Sequence, residues 1–282
     1  MTLRLAATAA LLLATPAAAQ DIDAANITET VRTLASDQFQ GRAPGTIGEE
    51  RTTGYLIGRL QALGLEPAGT GGGWTQPVPL LHTALGTPAK LAFGGKGAAP
   101  LAQGTDIYVS TLQPNDVAAV AGAPLVFVGY GVTAPERGWD DFKGVDLKGK
   151  VAVFLINDPD FVAAKGDDAF GKFGGKTMTY YGRWTYKFEE AARRGAVAAL
   201  IVHDTGGAGY GWSTVNANQG ENYDIVRGPN DPRIAMQGWL AHDYADALFK
   251  RAGQDLSALR VKARSAAFRP VDLGITLDVD IA

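Results

Sequence analysis

Three histidines, His82, His203 and His242, and no cysteine bound the chemistry open to this 282-residue chain. Without cysteine there is no thiolate metal site, no thiol nucleophile and no lipidated-cysteine anchor. Imidazoles joined to carboxylates would hold zinc and activate a water. His203-Asp204 and His242-Asp243 are adjacent pairs, and neighbouring side chains diverge on a strand or helix. Each histidine therefore reads as a surface or strand-end residue before it reads as a ligand. Asp140-Asp141 and Asp158-x-Asp160 carry the oxygen ligands calcium prefers, but neither has the EF-hand pattern; turn capping is the stronger reading. Gly129-Tyr130-Gly131 lacks the third glycine and following helix of a dinucleotide loop. No G-x-S-x-G elbow or Walker loop is present, and nothing selects one pair of acids for glycoside hydrolysis.

The elements that position these residues centre on residues 124–204. Leu125-Val126-Phe127-Val128 is an apolar run closed by Gly129, and residues 151–156 contain no polar side chain. Such unbroken runs suit strands covered on both faces. Trp184, Phe188, Ala191 and Ala192 recur at helical spacing, and Glu189–Arg193 and Glu190–Arg194 lie one turn apart with the acid first. Gly195 stops that helix, and residues 197–202 form another apolar strand. The pattern is strand–helix–strand.

Residues 1–19 read as an export signal: Arg4, an apolar stretch over 5–15, and Ala17-Ala18-Ala19 before Gln20. The apolar stretch is too short to span a bilayer. Asp23 caps a first helix carrying Ile27, Val31 and Leu34. Thr46 and Glu49 fit a capping box for a second, with Leu56, Leu60 and Leu63 as its expected buried stripe and Gly64 as its stop. Between them Arg42 sits in a glycine- and proline-fixed loop, where spacing favours bonding to nearby carbonyls or a carboxylate. Short strands are expected near residues 74–81, 91–93, 107–109 and 234–236, with a boundary at 113–122. Leu240, Tyr244, Leu248 and Arg251 share one face of a last helix ended by Gly253. Trp212, Asn216, Asn218, Asn222 and Tyr223 read as a surface loop whose aromatics pack back onto a sheet, ahead of a peptide- or sugar-contacting surface. Val271, Leu273, Ile275, Leu277, Val279 and Ile281 alternate with polar residues, which makes a half-buried strand.

The net charge of −3 gives no clustered basic face for nucleic acid or an anionic membrane. An exported chain without disulfides depends on core burial alone.

LVFVGYGV (125–132), DFKGVDLKGKVAVFLINDP (141–159) and KFEEAARRGAVAALIVHD (187–204) resemble a protease-associated domain. LASDQFQGRAPGTIGEERTTGYLIGRLQALGLEPAG (34–69) resembles the opening of secreted di-zinc aminopeptidases, metallopeptidase family twenty-eight. The resemblance implies an α/β fold: N-terminal helices with short strands, then a protease-associated-type sheet domain with flanking helices. The implied divisions are a signal peptide at 1–19, the N-terminal part of an aminopeptidase-like domain at 20–112, a protease-associated domain at 113–262, and at 263–282 a first strand leading into a missing catalytic domain. It also implies two zinc ions in the complete fold, held by a His-x-Asp pair, an Asp-Glu pair, a further acid and a distal histidine. Here Ala84, Thr205 and Tyr244 stand two residues after the three histidines, and no Asp-Glu dipeptide exists. No cofactor is therefore expected in this chain. Arg42 lies in a loop that the resemblance puts near the active site, which makes it the one candidate site residue. The expectation is the N-terminal part of an exported, periplasmic or extracellular zinc aminopeptidase, inactive alone, meeting peptide or protein substrates through the complete enzyme. The alternative is a non-catalytic exported peptide-binding module. Nucleic-acid and, after leader removal, membrane partners are not expected. Self-association through residues 271–282 is expected, because an amphipathic strand ending the chain would leave a free edge.

Overall fold

A computed structural model describes residues 22–85 and 90–281. The leader expected at 1–19 lies outside them. Among the described residues no helix is long and apolar enough to cross a membrane. Two compact units divide at Pro77/Val78.

In the first unit, α1 (Ala24–Leu34) starts where Asp23 accepts the Ala25 N–H at 2.8 Å. Helix α2 (Ile47–Ala62) starts at Thr46, whose hydroxyl accepts the Glu49 N–H at 3.4 Å. Glu49 reaches back to the Gly45 N–H at 2.5 Å, one residue before the position a capping box uses. The helix closes with Gly64 at φ +72° and Leu65 N–H on the Leu60 carbonyl. Phe39, in the turn between the helices, is buried and meets Tyr55 edge to face. A Cβ on Gly48 would stand 2.3 Å from the Phe39 carbonyl oxygen, so that turn packs onto backbone only. The leucine stripe is a correction: Leu56, Leu60 and Leu63 are exposed, as are Ile27 and Val31. Helical spacing aligns apolar residues on one face but supplies nothing to cover it.

The second unit is built on a seven-stranded sheet. Its elements are β1 (Leu80–Thr83), β2 (Lys90–Gly95), β3 (Ile107–Ser110), β4 (Ala118–Phe127), β5 (Thr133–Ala134), β6 (Trp139–Asp140), β7 (Val151–Leu155), α3 (Trp184–Arg193), β8 (Ala198–Val202), α4 (Thr205–Ala208), α5 (Trp212–Val215), β9 (Asn222–Ile225), β10 (Met236–Leu240), α6 (His242–Arg251), α7 (Leu256–Lys262) and β11 (Val271–Ile281). The sheet order is β2-β11-β4-β7-β8-β10-β3; β1 and β9 form a separate ribbon, as do β5 and β6. Strands β4, β7, β8 and β10 run parallel, and β3 and β11 join them antiparallel. The α/β fold class is as read, with β7 and β8 adjacent and buried throughout.

Both sheet faces are covered at this centre, which is why residues 151–156 carry no polar side chain. Val151, Val153, Leu155, Leu200 and Val202 face a core that includes Leu248 and Phe249 of α6 and Leu256 and Leu259 of α7. Ala152, Phe154, Ala199 and Ile201 face Phe188 and Ala191 of α3. Helix α3 ends as its sequence implies: Gly195 has φ +75°, and the Ala196 N–H returns to the Ala191 carbonyl. Gly131 is needed for close approach, since a Cβ there would stand 2.2 Å from a ring carbon of Phe154.

Several boundaries move. The strand expected at 74–81 forms at Leu80–Thr83. The strand expected at 234–236 starts at Met236 and runs through Leu240, so Leu240 is a strand residue rather than part of the last helix. Helix α7 follows Gly253, where no helix was expected. The stretch 113–122 contains the start of β4. The largest correction concerns β11, which is bonded on both sides, to β2 and to β4. Alternation shows that one face is buried but carries no information on backbone pairing. Among the described residues, Thr276, Leu277, Val279 and Asp280 are paired on both sides, so the fully free edge expected for this strand is not found over that stretch.

Candidate functional site

The register of β3 and β10 builds an open surface. Tyr108 pairs with Trp239 and Ser110 with Gln237, and in a strand residues two apart share a face. Tyr108 and Trp239 belong to the core on the α3 side of the sheet, so all four floor a groove there. Trp184 and Phe188 of α3 form one wall; Tyr210, Thr214 and Asn218, from the segment after β8, form the other. The inner cleft they enclose measures about 280 Å³. An adjoining outer cleft of about 140 Å³ shares Trp184, Phe188, Asn222 and Gln237 and adds Glu189, Asp224, Arg227 and Arg233.

No side chain lining the inner cleft is charged at neutral pH. Burial holds the Tyr108 and Tyr210 phenols above their usual range, and the Tyr108 hydroxyl donates to Asn218 Oδ1 at 2.9 Å. Behind Tyr210, burial pulls His203 below the usual imidazole range, opposed by the Tyr210 carbonyl. Its Nε2 lies 3.1 Å from that carbonyl and its ring packs on Trp212 and Trp239. His203 is a buried wedge at the end of β8, in keeping with the strand-end half of the reading rather than the surface half. In the outer cleft Arg227 pairs with Asp224 at 2.7 Å and Glu189 at 3.9 Å, and Arg193 pairs with Glu189 at 3.7 Å. Arg233 donates to the Arg227 carbonyl at 2.7 Å and belongs to no ion pair among the described residues.

A second polar constellation lies inside the unit. Lys187 is fully buried, and its ammonium donates to the carbonyls of Tyr130, Asn157 and Tyr181 at 2.5, 2.8 and 2.8 Å. Burial draws its amine down to about 7, while the Asp141 and Asp158 carboxylates push the other way. Three carbonyl acceptors are filled only by the protonated form, with its three donors. Burial pushes Asp141 up to about 7, against the Val132 N–H and the Trp139 indole N–H it accepts at 2.9 and 2.8 Å. Asp158 accepts the Thr179 N–H and hydroxyl through Oδ2, leaving its buried Oδ1 without a partner. Burial works to raise Asp160, but the N–H groups of Phe173, Gly175 and Gly171 hold it below the usual carboxylate range. Asp140 caps the turn at Phe142 and Lys143. All four acids thus tie down loops, as turn capping implies. The constellation fixes the loop ends around α3 and so the groove's wall; it presents no nucleophile–base pair.

The remaining sequence candidates fall elsewhere. His82 is on β1, stacked on Tyr223 at 4.6 Å. His242 opens α6, with its Nδ1 3.5 Å from an Arg260 nitrogen. Arg42, at φ +61°, donates to the Leu34 carbonyl in its own unit. Zinc does not fit these residues: among the described residues no three His, Asp or Glu side chains converge as ligands. The Asn-rich loop divides. Trp212 and Asn216 bond the Gly104 carbonyl and pack inward, while Asn222 and Tyr223 line the groove. Ser110, Arg233 and Gln237 were not singled out from the sequence. The available signal was Gln237, a polar residue within an otherwise apolar strand.

No family model and no curated protein matches this sequence. Among solved structures, the chain is similar to the aminopeptidase from Aneurinibacillus sp. strain AM-1, at 19% identity and a TM-score of 0.41. The match covers 92% of this chain and 44% of that one, so the chain spans less than half of that protein's length.

Proposed function

We propose that this chain is the peptide-contacting part of an exported aminopeptidase-type protein, holding peptide in the groove over β3 and β10 and leaving hydrolysis to groups outside the described residues. The observation that carries this is the groove itself: aromatic walls, a Tyr108–Trp239 and Ser110–Gln237 floor, and charges confined to its outer end. Recognition sites combine apolar walls with a few placed polar groups in this way. The protease-associated-like motifs at 125–132, 141–159 and 187–204 form the strands and helix that support the groove, which favours a peptide occupant over other classes.

The test is made on the full chain. Aminoacyl anilide hydrolysis is followed with added zinc, bound metal is measured after dialysis, and tryptophan fluorescence is titrated with blocked peptides. No turnover, no stoichiometric zinc, and saturable peptide binding that Trp184→Ala weakens are expected. Robust zinc-dependent turnover by this chain would overturn the division of labour. Absence of peptide binding would overturn the groove assignment.

A further inference from the structure

We propose that the outer cleft recognises the carboxylate of an acidic side chain on a passing peptide, while a neighbouring aromatic or aliphatic side chain enters the uncharged inner cleft. This rests on the peptide-binding reading and names the class of peptide. The argument is one of charge. Asp224 and Glu189 are already engaged by Arg227 and Arg193, and Arg233 remains with one backbone carbonyl as its acceptor. The outer cleft thus offers a guanidinium with no carboxylate partner among the described residues, in a chain whose net charge is −3. A guanidinium presents a planar fork that matches a carboxylate. The inner cleft lies beside it, sharing Trp184 and Phe188 as walls and carrying no charged lining residue. Asn222 borders both clefts and a third of about 450 Å³ lined by His82, Thr111 and Gln113. The third cleft borders the same Asn222 and offers space for a chain that passes on rather than ends, which favours a side-chain carboxylate over a chain terminus.

The experiment is a fluorescence titration of the full chain with acetyl-Ala-Phe-Glu-Ala-amide, its Gln counterpart, acetyl-Ala-Phe with a free carboxyl, and maltotriose. A hydrogen-bonded charge contact contributes enough that the Glu peptide should bind roughly tenfold or more tightly than the Gln peptide. Arg233→Gln should erase that difference by weakening Glu-peptide binding roughly tenfold or more. The wild-type comparison needs no variant, so a poorly folded Arg233→Gln does not blunt the test. Equal binding of the Glu and Gln peptides, still weakened by Trp184→Ala, overturns the carboxylate assignment and leaves the peptide reading standing. Tightest binding of the free-carboxyl dipeptide overturns the side-chain source. Binding of maltotriose alone, or of nothing, removes both readings.

Discussion

Replacing Lys187 by Met tests whether a buried ammonium holds the groove's wall in place. The side chain is fully buried, and its three donors fill the carbonyls of Tyr130, Asn157 and Tyr181. Those carbonyls belong to the turn after β4, the end of β7 and the turn before α3, so one nitrogen ties three loops together. Methionine has similar length and removes every donor. Each orphaned buried acceptor costs about 1–3 kcal/mol, so three give about 3–9 kcal/mol, and the Asp141 and Asp158 carboxylates lose their opposing charge. Against this, the substitution relieves the desolvation of the ammonium itself. Removing one partner of a buried charge arrangement typically nets about 3–5 kcal/mol, and that is the expected loss. It is a large share of a typical margin of about 5–15 kcal/mol. Urea denaturation followed by circular dichroism measures it. The control is Lys250→Met, whose side chain is 71% exposed and pairs with Asp246; its urea midpoint should stay close to that of the unsubstituted protein. A loss below about 1 kcal/mol for Lys187→Met would refute the bracing role.

Two further outcomes are expected. Phe154 is fully buried against α3 and Phe142, and Phe154→Ala should lower stability by about 3–5 kcal/mol in the same denaturant assay. Asp141 should show in the pH dependence of stability. Its folded pKa of about 7 lies above the ordinary aspartate value of 3.8, so between the two the folded state binds the extra proton. Its contribution is full below about 4 and is lost as pH rises through 7. Asp141→Asn, which cannot ionise, should flatten that part of the stability–pH curve, and an unchanged slope would count against a raised pKa.

What the sequence determined by itself was local. Asp23 and Thr46 as caps, Gly64 and Gly195 as stops, the Glu–Arg ladder on α3 and the unbroken strands β7 and β8 all formed where short-range rules put them. These signals work because they depend on residues within about one turn or one strand of each other. The tertiary structure decided whatever needs partners from distant parts of the chain. Nothing in the residues around Lys187 marks it, because the Tyr130 carbonyl that accepts its hydrogen bond lies 57 residues away in sequence. The same holds for β11, read as an unpartnered strand but bonded to β4 more than 140 positions earlier, and for the leucines of α2, whose spacing asks for a cover without naming one. The groove is the extreme case. Ser110 and Gln237 face each other only because β10 lies between β8 and β3, and Arg233 stands out only once the ion pairs around it are known. Local composition fixes which segments become strands and helices. Which faces stay open is set by how those segments pair, because pairing depends on the summed burial of the whole sheet rather than on any one stretch of chain.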